Sequence, residues 1–275
     1  GAGVGRFRDE TRGVLTQDAV TAAAHFAGLE PSSIVIKNLD GSGQPDISIE
    51  PDRYLYPASM LKTPLALAAY SQIADGKLHL DDRFNVGAGV LTTTDGPTPL
   101  VLGYSASVEQ LIELMITCSD NVATNMLYDI LGRENATSIV QQRYGLLHTA
   151  FYRKLSGGDP LIVDPGWDRV HRNAHSAGDA ARTFELIATD AVPYADTLRA
   201  VLSRQNHNDK LSRGLRAGDR FAHKTGSTDE VTHDGGLLDT AQGRSYVVVV
   251  YVGIPSNEGN DARFAPFMKA IRPSL

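Results

Sequence analysis

The sequence predicts an α+β fold with two lobes: an antiparallel sheet flanked by helices, and an all-helical lobe. Three observations predict it. Strand-like segments lie at both ends of the 275-residue chain, a block of helical patterns lies between them, and no internal repeat or low-complexity segment interrupts either. Strands far apart in sequence can share one sheet, which flanking helices then cover. We therefore expect one domain over 1–275, with an α/β lobe from 1–58 and 206–275 and a helical lobe from 59–205.

The N-terminal elements follow from a helix cap, residue alternation and turn residues. Thr16 is a plausible N-cap for a helix that stops at Gly28. Residues 33–39 alternate and are rich in β-branched side chains, and residues 46–50 resume that pattern. The turn residues 40–43 lie between the two segments, which predicts a hairpin.

The remaining elements follow from the period of the apolar residues and from the Gly and Pro that interrupt them. Residues 80–102 are rich in Gly, Thr and Pro and predict loops, and 155–173 predicts a long irregular segment. A loop of that length inside a compact fold is usually functional. Helices are predicted over 59–74, 107–117, 120–131, 134–144, 176–189, 194–205 and 261–271, and strands over 220–224, 232–238 and 245–254.

Composition excludes several classes of protein. The chain has 26 basic and 32 acidic residues, a net charge of −6, and 42% hydrophobic residues. These values exclude a disordered chain and argue against a nucleic-acid partner, which needs a basic face. The longest apolar stretch, Tyr246 to Ile254, is far shorter than the roughly 20 residues that span a bilayer. The single cysteine, Cys118, excludes an internal disulfide and any cysteine-cluster metal site.

Ser59-Met60-Leu61-Lys62 is the first of three motifs that carry chemistry. On a helix, residues three apart share a face, so Lys62 can reach the hydroxyl of Ser59. A serine hydroxyl needs a neighbouring base to become a nucleophile, and a lysine with a lowered pKa can be that base. Alone the motif is weak, because about one such spacing is expected by chance in a chain of this size.

Two further motifs follow in order along the chain. Ser119-Asp120-Asn121 lies between two predicted buried helices, and Lys224-Thr225-Gly226, followed by Ser227, ends a predicted strand. Each tripeptide is expected by chance at a rate of roughly a few per cent. The three motifs in this order, each next to the expected type of element, form a strong signal.

Together the motifs resemble those of the serine β-lactamase and penicillin-binding protein family, and class A β-lactamases most of all. The similarity includes residues 87–91 and 111–131 and covers essentially the chain from Thr16 onward. The resemblance implies a two-lobed β-lactamase/transpeptidase-like fold. It also implies a serine hydrolase acting on a small molecule, either a β-lactam or a D-Ala-D-Ala-like peptide. It implies no metal and no cofactor.

The resemblance also implies catalytic roles for four residues. Ser59 would be the acylated nucleophile, and Lys62 would help to remove its proton. Ser119, assisted by Lys224, would pass a proton to the leaving nitrogen. The backbone N–H groups of Ser59 and Ser227 would form an oxyanion hole, where losing one donor typically costs about 10²–10³ in rate.

Substrate-binding roles fall on the second and third motifs. Asn121 would hold Lys62 and the amide carbonyl of the substrate. Lys224, Thr225 and Ser227 would bind the substrate carboxylate. Gly226, with no side chain, would let the substrate backbone approach the strand edge.

The chain departs from class A enzymes at the step that releases the acyl group. Those enzymes use a Glu in the loop after the Ser-Asp-Asn helix to activate the deacylating water. Here no Glu occurs between Glu134 and Glu185. Asp159 and Asp164 lie nearest the expected place, so either could activate the water, although a solvated or turn-capping carboxylate is the simpler interpretation of each.

Three other groups of residues have a structural reading and a functional one. His171 and His175 are spaced for a metal, but the nearby Pro and Gly favour a structural role. His233-Asp234 is interpreted as a buried, hydrogen-bonded pair at a strand end. One residue of a cationic cluster could add to the carboxylate site, although a solvated face is the simpler interpretation. That cluster is Lys210, Arg213 and Arg216.

Two functions of different class remain open. The first is an enzyme, a β-lactamase with slow deacylation or a D,D-peptidase. The second is a penicillin-binding or sensor-type domain that is acylated without efficient turnover. In either case we expect a monomer without a membrane span. The resemblance implies the bacterial periplasm or secretion, although residues 1–5 show no signal peptide.

Overall fold

A five-stranded antiparallel sheet forms the centre of the protein in the computed structural model, which describes residues 13–41, 43–156 and 164–275. The strands, in chain order, are β1 (Ser32–Asn38), β2 (Ile47–Ile49), β3 (Arg83–Asn85), β4 (Ser105–Ser107), β5 (Thr149–Ala150), β6 (Ala174–His175), β7 (Arg220–Ser227), β8 (Thr232–Asp239) and β9 (Ser245–Val252). The central sheet has the order β2-β1-β9-β8-β7, so its N-terminal and C-terminal strands are neighbours, as the sequence predicts.

Some of the helices cover this sheet, and the others form the helical lobe. They are α1 (Gln17–Ala27), α2 (Lys62–Ala74), α3 (Val108–Thr117), α4 (Asn121–Leu131), α5 (Arg133–Tyr144), α6 (Ala177–Ala188), α7 (Ala195–Ser203), α8 (Glu258–Asp261) and α9 (Phe264–Ile271). Short 3-10 turns occur at Ala58–Leu61, Ala88–Val90, Leu211–Gly214 and Arg272–Ser274. In the described ranges no helix is long and apolar enough to cross a bilayer.

Strand β9 shows how the sheet separates two hydrophobic cores. Its valine-rich sequence is buried on both faces, which is typical of a central strand. Because successive side chains point to opposite faces, Val247 and Val249 pack in the core shared with the helical lobe. Val248 and Val250 pack on the other face, in a core that includes residues of α1 and α9. The first and last helices therefore cover one face, as predicted.

Helix α2 is the centre of the helical lobe. Ten of its residues are buried, from Lys62 to Ser71, and most of them are apolar around the whole circumference. A helix that is apolar on all sides must be enclosed by other elements. The 3-10 turn Ala58–Leu61 leads directly into it. The sequence predicted one helix from residue 59, whereas the structure has this tighter turn before the α-helix begins.

Strand β7 is longer than predicted. The sequence placed its end at Lys224, but its pairing with β8 continues through Gly226, opposite His233, to Ser227, opposite Thr232. A glycine was interpreted as the end of the strand because glycine is common in turns. Here it continues the ladder, so the whole third motif lies on a sheet edge strand.

The proposed His233–Asp234 pair is wrong in one respect. Both side chains are buried, but they do not bond to each other, since adjacent residues of a strand point to opposite faces. His233 bonds with the carbonyl of Tyr56 (2.8 Å) and accepts from the N–H of Val252 (3.1 Å). Asp234 instead pairs with His223 at 2.7 Å.

Candidate active site

A cleft of about 530 Å³ lies where the 3-10 turn at Ala58–Leu61, helix α4, strand β7 and the loop before β6 meet. That volume is ordinary for a small-molecule site. The residues that line it are Tyr56, Ala58, Ser59, Asp95, Asn121, Arg153, Leu155, Ser156, Trp167, Arg172, Asn173, Ser227, Thr228, Asp229 and Glu230.

Ser59 is presented to this cleft by a strained turn. Ala58, the preceding residue, has a φ of 50°, in the left-handed region that costs a non-glycine residue on the order of 1 kcal/mol. The N–H of Lys62 donates to the carbonyl of Ser59, which joins the turn to helix α2. Strain of this kind is concentrated at functional sites, where the surrounding structure holds it in place.

Lys62 is a fully buried ammonium beside Ser119 and Asn121. Its Nζ donates to the carbonyl oxygen of Ser119 (2.7 Å), to Ser119 Oγ (2.8 Å) and to Asn121 Oδ1 (2.8 Å). Burial lowers the pKa of Lys62 to about 7, although the charges of Asp120 and Asp95 act in the opposite direction. Near neutral pH a large fraction of Lys62 is therefore neutral and able to accept a proton.

The described hydrogen bonds of Lys62 Nζ do not include one to Ser59 Oγ. Catalytic hydrogen bonds are often long before substrate binds, so this geometry does not remove Lys62 as the base. In the free protein the described hydrogen bonds of the amine run to Ser119 and Asn121.

Ser119 links the two lysines of the motifs. It has a φ of 56°, and its Oγ accepts from Lys62 Nζ and from Lys224 Nζ at 3.0 Å. The next residue, Asp120, caps α4 by accepting the N–H groups of Val122 and Ala123, which fixes the entry to that helix. Since both lone pairs of the hydroxyl are occupied by lysine donors, its own proton is available to a third partner.

Strand β7 places Lys224 against Ser119 from the opposite side. Lys224 is fully buried, and its Nζ also donates to the carbonyl of Thr225 at 2.9 Å. Burial lowers the pKa of Lys224, and the positive charges of Lys62 and Lys210 lower it further. The structure therefore brings Ser119, Lys62 and Lys224 together, with Ser227 on the cleft wall nearby.

Lys210 lies at this site, the alternative that the sequence analysis considered less simple than a solvated face. The cationic cluster was interpreted as a solvated face, and Arg213 and Arg216 are indeed exposed. Lys210 is buried, and its Nζ donates to Ser227 Oγ (2.7 Å) and to the carbonyls of Gly226 (3.0 Å) and His233 (3.2 Å). The only sequence signal was its position in the cluster, because burial here depends on acceptors that β7 and β8 supply.

Gly226 has a packing role in addition to the expected role toward the substrate, which stays a prediction. The sequence suggested that its missing side chain gives room to the substrate. A Cβ at this position would lie 3.1 Å from the carbonyl oxygen of Pro57 and 3.2 Å from Met60 Cγ. These atoms belong to the turn that carries Ser59. The glycine therefore allows β7 to pack closely against the nucleophile turn.

Asn121 lines the cleft and connects two of its walls. Its Oδ1 accepts from Lys62, and its Nδ2 donates to the carbonyl of Thr93 at 3.1 Å. Thr225 is buried on β7 between Lys224 and Gly226. These positions agree with a substrate-binding role, which stays a prediction.

The carboxylate of Asp164 is bound by an arginine side chain and by a backbone N–H. Its carboxylate accepts two hydrogen bonds from Arg133, at 2.7 and 2.8 Å, and one from the N–H of Lys154. Burial raises the pKa of Asp164, but these hydrogen bonds outweigh it and the net pKa is lowered. Such a carboxylate is a weak base with both oxygens occupied. Asp159 lies outside the described residues, so its role stays a prediction.

Leu155 of this loop lines the same cleft as Ser59. Asn125 holds its backbone at two points: the N–H of Leu155 donates to Asn125 Oδ1 (2.8 Å), and its carbonyl accepts from Asn125 Nδ2 (2.9 Å). The described loop residues on the cleft wall are Arg153, Leu155, Ser156, Trp167, Arg172 and Asn173. None of them can remove a proton from water at neutral pH.

The two spaced histidines do not form a metal site. His171 pairs with Asp168 at 2.5 Å, whereas His175 is buried on β6 and bonds with Thr149 Oγ1 at 2.8 Å. Across the described part of the chain no group of three or more potential ligands could hold a metal ion. The structural interpretation of these histidines therefore fits the contacts.

Comparison with known proteins supplies the family. The sequence model of the beta-lactamase enzyme family matches residues 15–271. The chain belongs to this family. It is 26% identical to the extended-spectrum β-lactamase PER-1 of Pseudomonas aeruginosa over 226 residues, which cover 75% of this chain and 71% of PER-1.

Two solved structures and one relative with a shorter match extend this comparison. A β-lactamase from Sphaerobacter thermophilus superposes with a TM-score of 0.81, 24% identity and coverage of 95% of this chain and 98% of that one. A mutant of PBP-A, solved as its acyl-enzyme with penicillin G, superposes with a TM-score of 0.79 and 24% identity, and the match covers 92% of this chain and 94% of that one. The β-lactamase regulatory protein BlaB of Streptomyces cacaoi is 31% identical over 123 residues, 44% of this chain and 38% of BlaB. Together these findings establish an α+β fold of the class A type.

Proposed function

We propose that this protein is a penicillin-recognising serine hydrolase that forms an acyl-enzyme on Ser59 and releases the acyl group slowly. One observation carries the proposal. Two buried lysines, Lys62 and Lys224, donate to the same hydroxyl, Ser119 Oγ, beside a cleft that Ser59 lines. Burying two lysine amines side by side costs desolvation free energy, so stability alone does not account for the arrangement. It favours a role in proton transfer.

The acylation step follows from these contacts. Neutral Lys62 takes the proton of Ser59 Oγ, which bonds to the carbonyl carbon of the substrate. The C–N bond breaks, and its electron pair takes a proton from Ser119 Oγ, which the lysines replace. Negative charge develops on the carbonyl oxygen, where the N–H groups of Ser59 and Ser227 would stabilise it. The positive charges of Lys224 and Lys210 beside Ser227 would hold the substrate carboxylate.

Acylation should depend on pH through the lysine base. Because Lys62 acts in its neutral form and its pKa is about 7, the acylation constant should rise with pH through that value and then level off. Stopped-flow acylation by a chromogenic cephalosporin between about pH 5 and pH 9 measures this. A constant that is flat across this range, or that falls with rising pH, would contradict the assignment.

Slow release of the acyl group follows from the loop. Deacylation needs a base that positions a water molecule on the acyl carbon, and general-base help is typically worth about 10²–10⁴ in rate. None of the described loop residues on the cleft wall, Leu155 among them, carries a carboxylate. Asp164 is held by Arg133.

The two loop aspartates can be tested directly. If one of them activates water, replacing it should trap the acyl-enzyme without slowing its formation. We expect Asp164→Asn to leave the decay of the adduct unchanged, since its carboxylate is bound to Arg133. Asp159→Asn is the matched variant in the same loop. Decay of the penicillin adduct by mass spectrometry decides between them, with a thermal melt as the control for folding.

A carboxylate introduced at Leu155 should accelerate release of the acyl group. Asn125 fixes the backbone there, and the side chain borders the cleft, so Leu155→Glu puts a base on the wall beside Ser59. We expect decay of the adduct to become about 10²-fold faster. Leu155→Gln is the control of equal size without a base. Equal decay of the two variants would show that a carboxylate at this position does not reach the water.

A second candidate function is a sensor that signals by being acylated. The similarity to the regulatory protein BlaB favours it, although that similarity covers 44% of this chain. A D,D-peptidase uses the same first step on a peptide. Incubation with a D-Ala-D-Ala peptide distinguishes them, because a peptidase releases D-alanine repeatedly and a sensor does not.

The proposal is tested by mapping the adduct. Purified protein is incubated with benzylpenicillin, and intact mass and peptide mapping locate the acyl group. We expect one acyl group per chain, on the peptide that contains Ser59. An adduct on Ser119, on Ser227 or on no residue would overturn the proposal.

A further inference from the structure

Arg153 is a cationic side chain on the cleft wall without an anionic partner. It lines the cleft, and its guanidinium lies 4.2 Å from the ring centre of Trp167. Its Nε is buried and has no hydrogen-bond partner. Within the described ranges no carboxylate forms an ion pair with it. The described part of the chain therefore leaves this guanidinium without a counter-charge, which a bound carboxylate would supply.

Three acidic residues in the described parts of this loop and of the turn after β7 are engaged elsewhere. On the same loop, Asp164 is bound to Arg133, and Asp168 is bound to His171. At the end of β7, Glu230 pairs with Arg172 at 3.4 Å.

The side chain that holds the backbone at Arg153 is an amide, that of Asn173. Asn173 Oδ1 accepts the N–H groups of Tyr152 and Arg153, and its Nδ2 donates to the carbonyl of Arg153. It therefore fixes the backbone at Arg153 without supplying a negative charge. Asp229 also lines the cleft, but it is exposed and water can solvate its carboxylate. Arg153 consequently keeps both its position and its charge.

Arg153 and the lysine pair belong to different walls of the cleft. Lys224 lies on β7 and contacts Ser119, whereas Arg153 lies in the loop before β6 and stacks on Trp167 of the same loop. Asp95, the remaining acid of the cleft, acts on Lys62 and Lys224 and so lies near the lysine pair.

We propose that Arg153, stacked on Trp167, is a subsite for a carboxylate on the acyl side chain of the substrate. The proposal rests on the acylation of Ser59 proposed above and adds its substrate class. A substrate with its ring carboxylate at Lys224 and Ser227 and its carbonyl at Ser59 extends its acyl side chain toward Arg153. The planar guanidinium offers a donor fork that matches a carboxylate, and stacking on the indole limits its motion.

The test compares two penicillins that differ in one substituent. Carbenicillin carries a carboxylate on the α-carbon of the acyl side chain, and ampicillin carries an amino group there. The second-order acylation constants are measured for wild type, Arg153→Gln and Arg153→Lys. We expect wild type to favour carbenicillin by about tenfold or more, Arg153→Gln to remove this preference, and Arg153→Lys to retain part of it. The change should appear in the binding constant and not in the limiting rate of acylation.

Arg213→Gln is the matched control, because it removes the same charge from an exposed position outside the cleft. It should keep the wild-type preference, and thermal melts of all variants check folding. An unchanged preference in Arg153→Gln, or an equal loss in Arg213→Gln, would overturn the inference. If benzylpenicillin acylates Ser59 while the preference does not respond, the inference alone fails. If no penicillin acylates Ser59, the proposed function fails with it.

Discussion

Ser59→Ala should abolish covalent labelling by a fluorescent penicillin. The substitution removes the oxygen that bonds to the acyl carbon, and no base can replace it. Alanine adopts helical backbone angles readily and is smaller than serine, so the backbone of the turn should stay in place. Labelling of the denatured protein on a gel, after incubation in its native state, measures the loss.

Ser156→Ala is the control for this variant, because Ser156 also lines the cleft. It should label like the wild type. Labelling of Ser59→Ala at any measurable rate would mean that the nucleophile is another residue. The peptide map would then identify it.

Lys62→Met should slow acylation by about 10³-fold while the protein stays folded. The variant removes the base that accepts the proton of Ser59, and general-base help is worth about 10²–10⁴. Methionine has a similar length, but it leaves Ser119 and Asn121 without the lysine donor, which should lower the melting temperature by a few degrees. A cooperative melt together with the lost rate shows that the loss is not one of folding.

Lys37→Met controls for the loss of one positive charge, because Lys37 is a surface residue paired with Glu185. Its acylation constant should match that of the wild type. An unchanged constant in Lys62→Met would remove Lys62 from the mechanism. In that case Lys224, which donates to the same hydroxyl, would be the next candidate base.

The sheet and most helices were predictable because their signals are local. The valines of β9 and the caps of α1 and α3 are written in short windows, and Thr16 and Ser107 do accept the N–H groups of Ala19 and Gln110. The end of β7 was not predictable in this way. Whether Gly226 ends or continues a strand depends on its partner His233 and on the turn packed against it.

The site residues also differ in whether their sequence signal is local. Short motifs identified Ser59, Ser119 and Lys224, because reacting groups must be close and the motifs preserve their spacing. Lys210 and Arg153 carry no motif. One is placed by acceptors on two strands and the other by Trp167, fourteen residues away on the same loop. The state of Asp164 likewise depends on Arg133, which lies on a different element.

The rate at which the wild-type penicillin adduct disappears tests the central claim most directly. After stoichiometric acylation, excess benzylpenicillin is removed and intact mass is followed with time. We expect the acylated mass to persist over many times the period needed to form it, because Asp164, the described aspartate nearest the expected place of the deacylating base, is bound to Arg133. A prompt return to the unmodified mass would contradict it and establish an efficient β-lactamase.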